Sequence, residues 1–126
     1  MRIYIILIFL FFSCSTMSKK NEIHNRVCNE NLKFKSEFFR NIEIVTYYMT
    51  ESTSISSFKE YEQLITNEKI KNYQLSLKFI SYYTHVSFES MANYARTYPI
   101  GVFEMNKKGW LKWYDDNKCN DIQLKN

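Results

Sequence analysis

Apolar residues run unbroken from Ile3 to Phe12 and afterwards recur at three- and four-residue steps between polar stretches. The opening run is only about half the roughly 20 apolar residues that a bilayer-spanning helix needs. Arg2 stands before it, and the small Ser13 stands between it and Cys14. A positive n-region, an apolar h-region and a small residue form the pattern of an export leader that is removed from the mature chain. Residues 1–13 are therefore read as a signal peptide. Residues 14–33, rich in Ser, Lys, Asn and Glu, are read as a polar tether.

From Phe34 to Thr50 two signals compete. Phe38, Ile42, Val45 and Met49 keep helical spacing, whereas Ile42 to Tyr48 is rich in strand formers. The helix is the preferred reading. Glu51 to Ser56 reads as a polar break. Ser57-Phe58-Lys59-Glu60 then forms a capping-box pattern opening a helix that would bury Phe58, Tyr61, Leu64 and Ile65.

Asn67 is the expected N-cap of the clearest helix, where Ile70, Tyr73, Leu77, Ile80 and Thr84 recur on one stripe, flanked by Phe79 and Tyr83. Lys69, Gln74, Lys78 and Ser81 belong to its solvated face. From His85 to Gly101 the pattern is that of a loop. Its Tyr94 and Tyr98, with Phe103 just beyond, would pack over the helices or line a recognition surface. In the last element Trp110, Trp113 and Tyr114 share a helical face, which either completes the core or offers aromatic rings to a partner. A helix starting near Lys107 and Lys108 and ending at Asp115 and Asp116 would carry its charges against the helix dipole, with Gly109 weakening its interior.

Composition narrows the fold. Two Gly and one Pro in 126 residues are too few for the many tight turns of a sandwich or barrel. A hydrophobic content of 45% and ten Phe with ten Tyr supply an aromatic core and argue against wholesale disorder. The expected fold is mainly α: a small bundle of about four helices in a single domain, residues 34–126. The formal charge of +4 includes Arg2, which leaves with the leader, and the remaining surplus is mild and evenly mixed. No nucleic-acid partner is implied.

Three cysteines sharpen the picture, because one of them, Cys14, ends the leader. In the oxidising surroundings of an exported protein the other two, Cys28 and Cys119, are expected to form a disulfide. Neither has a second Cys or His at metal-ligand spacing, since His24 precedes Cys28 without a partner pair. No metal and no cofactor are expected.

Phe11-Phe12-Ser13-Cys14 resembles the lipobox of bacterial lipoproteins, with Phe11 standing where Leu is commonest. The resemblance implies that Cys14 is diacylated and becomes the new N-terminus, anchoring the chain in a bacterial envelope facing the periplasm. Ser15 and Thr16 after it give no aspartate-type retention cue, which favours the outer membrane. The alternative is an ordinary secretory leader cut after Ser15 or Ser18, giving a secreted protein. A second likeness lies in the last fifty residues. Leu75 to Ile80 with Thr84, then Asn93-Tyr94, then Trp110, Trp113, Tyr114, Asn117 and Lys118 resemble the last helical pair of HEAT-like modules, although His85 stands where Gly usually ends the first helix. That likeness implies helical hairpins and binding to another protein.

No catalytic constellation is present. His24 and His85 are the chain's two histidines and neither neighbours a nucleophile pattern. There is no Gly-rich phosphate loop, no Gly-x-Ser-x-Gly and no His-Glu-x-x-His. Asp115 and Asp116 are adjacent, so on a helix they diverge by about 100° and share no site. The expected function is that of a lipid-anchored, non-enzymatic protein with a protein-binding or structural role. The alternative is an immunity protein that neutralises an antibacterial toxin. The candidate partner-binding residues are Tyr94, Tyr98, Trp110, Trp113 and Tyr114.

Overall fold

The computed structural model describes residues 28–92, 98–99 and 101–125. The leader, Cys14, the first part of the tether and Tyr94 lie outside them. Five helices and no strand occur among the described residues: α1 (Leu32–Ser54), α2 (Phe58–Leu64), α3 (Asn67–Ser81), α4 (Phe88–Met91) and α5 (Val102–Asn117). The protein is mainly helical, a small bundle.

The helical period wins in α1 because its apolar stripe has a long surface to cover. Phe34, Phe38, Ile42, Val45 and Met49 are all buried on it, which settles the competition with the strand formers. Asn31 caps the helix, its Oδ1 accepting from the Phe34 amide at 3.0 Å. The expected break at Glu51 does not occur, and the helix runs to Ser54. The hydroxyls of Thr53 and Ser54 donate to the carbonyls of Met49 and Glu51, both at 2.8 Å, so these polar side chains bond back along the helix instead of ending it.

Helix α3 runs antiparallel to α1. Tyr83, just past the C-terminus of α3, meets Phe34 near the start of α1, with ring centroids 4.9 Å apart. Tyr73 stacks on Tyr48 at 4.1 Å, and Lys69 pairs with Glu51 at 2.7 Å. Its buried stripe is Tyr73, Ser76, Leu77 and Ile80, close to the predicted one. Its N-cap is Thr66, whose Oγ1 accepts from the Lys69 amide, so Asn67 is the first helical residue and not the cap.

Helix α2 turns the corner between them and departs from expectation. Ser57 does cap it, accepting from the Glu60 amide at 3.2 Å, while the Glu60 carboxylate takes its return bond from the amide and hydroxyl of Ser56. None of its residues is buried. Phe58 is 76% exposed and Leu64 is exposed, whereas Ile65, the C-cap, is the one predicted anchor that reaches the core and Tyr61 packs partly against it. Seven residues are two turns, too short to carry a stripe across a neighbouring helix.

The stretch read as a loop contains α4, capped by Ser87 and buried through Met91. Helix α5 starts at Val102, after Gly101 at φ 82°, a left-handed conformation that suits glycine. That start moves the predicted charges. Lys107, Lys108 and Gly109 fall in mid-helix and Glu104 occupies the first turn, so the expected clash with the dipole at the N-terminal end is absent. At the other end Asp115 pairs with Lys118 and Asp116 with Lys112.

The fold begins earlier than residue 34. Cys28 to Asn31 belong to the domain and not to the tether: Cys28 is bonded to Cys119, and the Asn31 side-chain Nδ2 donates to the Ile122 carbonyl at 3.0 Å. The tail returns to the turn just after α3, with Lys125 Nζ donating to the Tyr82 carbonyl at 3.0 Å and its backbone amide to the Tyr83 hydroxyl at 2.7 Å. Among the described residues no helix is long and apolar enough to cross a membrane.

Candidate functional site

Two surfaces compete for a functional role: the C-terminal aromatic seam singled out by its spacing, and the outer face of the α1 and α3 pair. The seam is interior. Trp110 is 0% exposed, Tyr98 2% and Tyr114 5%. Tyr114 lies against Phe38 with centroids 5.5 Å apart and against Phe39 at 4.9 Å. Trp110 is enclosed by Tyr98 and Phe103 at 6.1 and 6.2 Å. A fully covered ring has no face left for a partner, so these three residues are corrected from binding candidates to core. Trp113 is half-buried and packs on Phe38 at 5.5 Å. Among the described residues the buried Trp110 Nε1 donor has no hydrogen-bond partner.

At the end of this seam the segment before α1 is locked to the end of α5 and the residues that follow it. Beside the Cys28–Cys119 bond, which closes 91 residues of sequence, the Tyr114 hydroxyl donates to Glu30 Oε1 at 2.7 Å and Lys35 pairs with the same carboxylate at 3.0 Å. The Tyr114 bond is the chief reason, and Lys35 the next, that Glu30 titrates below the ordinary carboxylate range. Burial first, then the hydrogen bond to Glu30 and its charge, push the Tyr114 hydroxyl up.

The outer face of α1 and α3 holds an open groove of about 320 Å³ lined by Arg40, Glu43, Ile44, Tyr47, Lys69 and Asn72, over Tyr48. Arg40, Ile44 and Tyr47 follow one another at i, i+4 and i+7 on α1, and Lys69 and Asn72 at i and i+3 on α3. The floor is buried Tyr48, stacked on Tyr73. Tyr47 is 60% exposed, and the Lys69 ammonium lies 5.6 Å from its ring centroid. Each end of the groove carries an ion pair, Arg40 with Glu37 and Lys69 with Glu51. Arg40 holds Glu37 below its ordinary range.

Sequence reasoning missed this face. Its signal was Ile44 and Tyr47, large residues that fall outside the α1 core stripe and beside it. His85 and Glu89 are exposed, and His85 lies against Gly109, 3.7 Å from where a Cβ would stand. Among the described residues no three His, Cys, Asp or Glu come together as metal ligands. The groove's chemistry is that of a docking surface: an exposed ring and an aliphatic side chain between paired charges.

No family model, no curated protein and no solved structure matches the chain.

Proposed function

We propose that the protein is a lipid-anchored envelope protein whose helical domain binds another protein without catalysis, through the outer face of α1 and α3. The observation that carries the binding half is the groove centred on Tyr47, whose exposed ring and neighbouring Ile44 form an apolar patch rimmed by charge. The anchoring half rests on the sequence, through the leader and the lipobox-like residues before Cys14.

Two measurements test the halves separately. Intact mass of the protein from the membrane fraction, with and without reductant, should give a diacylated chain beginning at Cys14 that gains two hydrogens on reduction. A soluble chain beginning after Ser15 or later would remove the anchor. A photo-reactive residue placed at Tyr47 should form protein adducts in intact membranes, while the same residue at Met105, exposed on α5, should not. Equal yields at both positions, or none at Tyr47, would contradict the assignment of the face.

A further inference from the structure

We infer that the outward face of α3 lies on the bilayer that holds the anchor, with Leu75 and Tyr82 entering the interface and Lys71, Lys78 and Lys125 meeting anionic headgroups. The inference rests on the reading of the chain as lipid-anchored and adds which side of the domain the membrane touches.

Its first ground is a one-sided charge. Between Glu68 and Glu89 the chain carries Lys69, Lys71 and Lys78 and no Asp or Glu. In α1 and α5 the exposed cations are instead interleaved with acids, as Arg40 is with Glu37 and Glu43, and Lys112 with Asp115 and Asp116. At about 100° per residue Lys71, Leu75, Lys78 and Tyr82 fall within about 60° of one another. That side of α3 is opposite its buried stripe of Tyr73, Leu77 and Ile80. All four are exposed, Leu75 by 54% and Tyr82 by 53%. Among the described residues Lys71 and Lys78 form no ion pair, while Lys69, on the flank, is the lysine of α3 that pairs with Glu51. Apolar and aromatic side chains alternating with lysines are the composition of a helix face that lies in a lipid interface. There a tyrosine ring rests among the headgroups with its hydroxyl toward water.

The second ground is position. The C-terminal end of this face adjoins the place where the chain enters the domain. Tyr83 touches Phe34 at the start of α1, and Cys28 is bonded to Cys119 at the same end. Lys125 Nζ donates to the Tyr82 carbonyl at 3.0 Å, which sets a third lysine beside the face with two further donors for headgroups. Thirteen residues, 15–27, separate Cys14 from Cys28, a span of at most about 50 Å. A lipid on Cys14 therefore keeps the face within reach of the bilayer and turns contacts that are weak alone into an intramolecular event. Asn72 and Lys69 of the groove are turned from Lys71 by about 100° and 160°. The groove thus opens to the side, and membrane contact leaves it free for a protein.

Lysine acylation read by mass spectrometry tests this on the full-length chain, added to preformed vesicles of phosphatidylcholine alone or mixed with phosphatidylglycerol. A lysine near an anionic surface contributes roughly fivefold to binding, so acylation of Lys71, Lys78 and Lys125 should slow at least about fivefold on the anionic vesicles. High salt should restore it. Lys112 on α5, with 75% of its side chain exposed, should react equally on both. Leu75→Asp, at an exposed position, should remove the protection of Lys71 and Lys78 while leaving the helical signal unchanged. Unchanged rates at the three lysines overturn the inference, as does equal slowing at Lys112 or protection indifferent to lipid charge and to Leu75→Asp. The anchor is judged separately, by intact mass. For a chain that proves unlipidated, the same measurement with vesicles in excess still reads the face: protection confined to anionic vesicles sustains it, and no protection overturns it along with the anchor.

Discussion

The aromatic seam between α1 and α5 and the short helix α2 draw on the same residue types and meet opposite fates. Along the seam Phe34, Phe38, Trp110 and Tyr114 are buried, whereas α2 buries nothing and leaves Phe58 almost wholly in water. Hydrophobicity does not account for the difference, because Phe58 is as apolar as Phe38. Length does: α1 and α5 span 23 and 16 residues and carry a stripe over several turns, so each ring has neighbours above and below. The seam is also closed covalently at Cys28 and Cys119, while α2 is held at one end by the Ser57 cap and at the other by Ile65. Burial follows the continuity of a helical surface more than the composition of a segment.

Breaking the seam should have the largest effect. Trp110→Ala should cost about 3–5 kcal/mol in denaturant unfolding, the range for a large core aromatic. A loss under about 1 kcal/mol would place that ring outside the core. Reducing the Cys28–Cys119 bond comes next. Loop closure over 91 residues bounds the effect at about 4.6 kcal/mol, and removal from small exported domains commonly costs 2–5. Hydrogen exchange should rise first at residues 28–31 and 117–125. A uniform rise across α1 and α3 would deny that the bond acts locally.

At the corner, Ser57→Ala should cost about 1 kcal/mol through loss of the α2 cap. Phe58→Ser, by contrast, should stay within about 0.5 kcal/mol, as for other exposed positions. A larger loss for Phe58→Ser than for Ser57→Ala would reverse the comparison. The smallest expected effect is a pH dependence at the lock. Glu30 titrates below its usual 4.5 in the folded chain, so its contribution is fully present above that value. It fades as the pH falls through the lower folded value. Tyr114→Phe should raise the Glu30 value toward 4.5 when followed by NMR. An unchanged titration would remove the hydroxyl as its principal cause.

Much of the fold was legible because long amphipathic stripes announce themselves: α3 and the core face of α1 follow the three- and four-residue steps nearly position by position. The Cys28–Cys119 bond was legible from the cysteine count once Cys14 was set aside as the residue expected to end a leader. Less was legible where local rules yield to packing. Ser52 to Ser54 look like a break, yet their neighbours' carbonyls accept the hydroxyls and α1 continues. The start of α5 was hidden because Val102 to Met105 carry no cap other than Gly101. The aromatic triplet was correctly placed on one helical face, but spacing alone does not say whether that face looks inward. The groove went unread for the converse reason: it is assembled from residues of α1 and α3 that each lie beside a core stripe, and only the antiparallel pairing brings them together.

The two tryptophans of this chain both lie on the seam, which makes fluorescence the direct test of its interior character. With Trp113→Phe isolating Trp110, the emission should be blue-shifted and barely quenched by acrylamide, as befits an indole that is 0% exposed. Emission at the wavelength of free indole in water, quenched as freely, would return Trp110 to the surface and with it the C-terminal aromatics as the binding face.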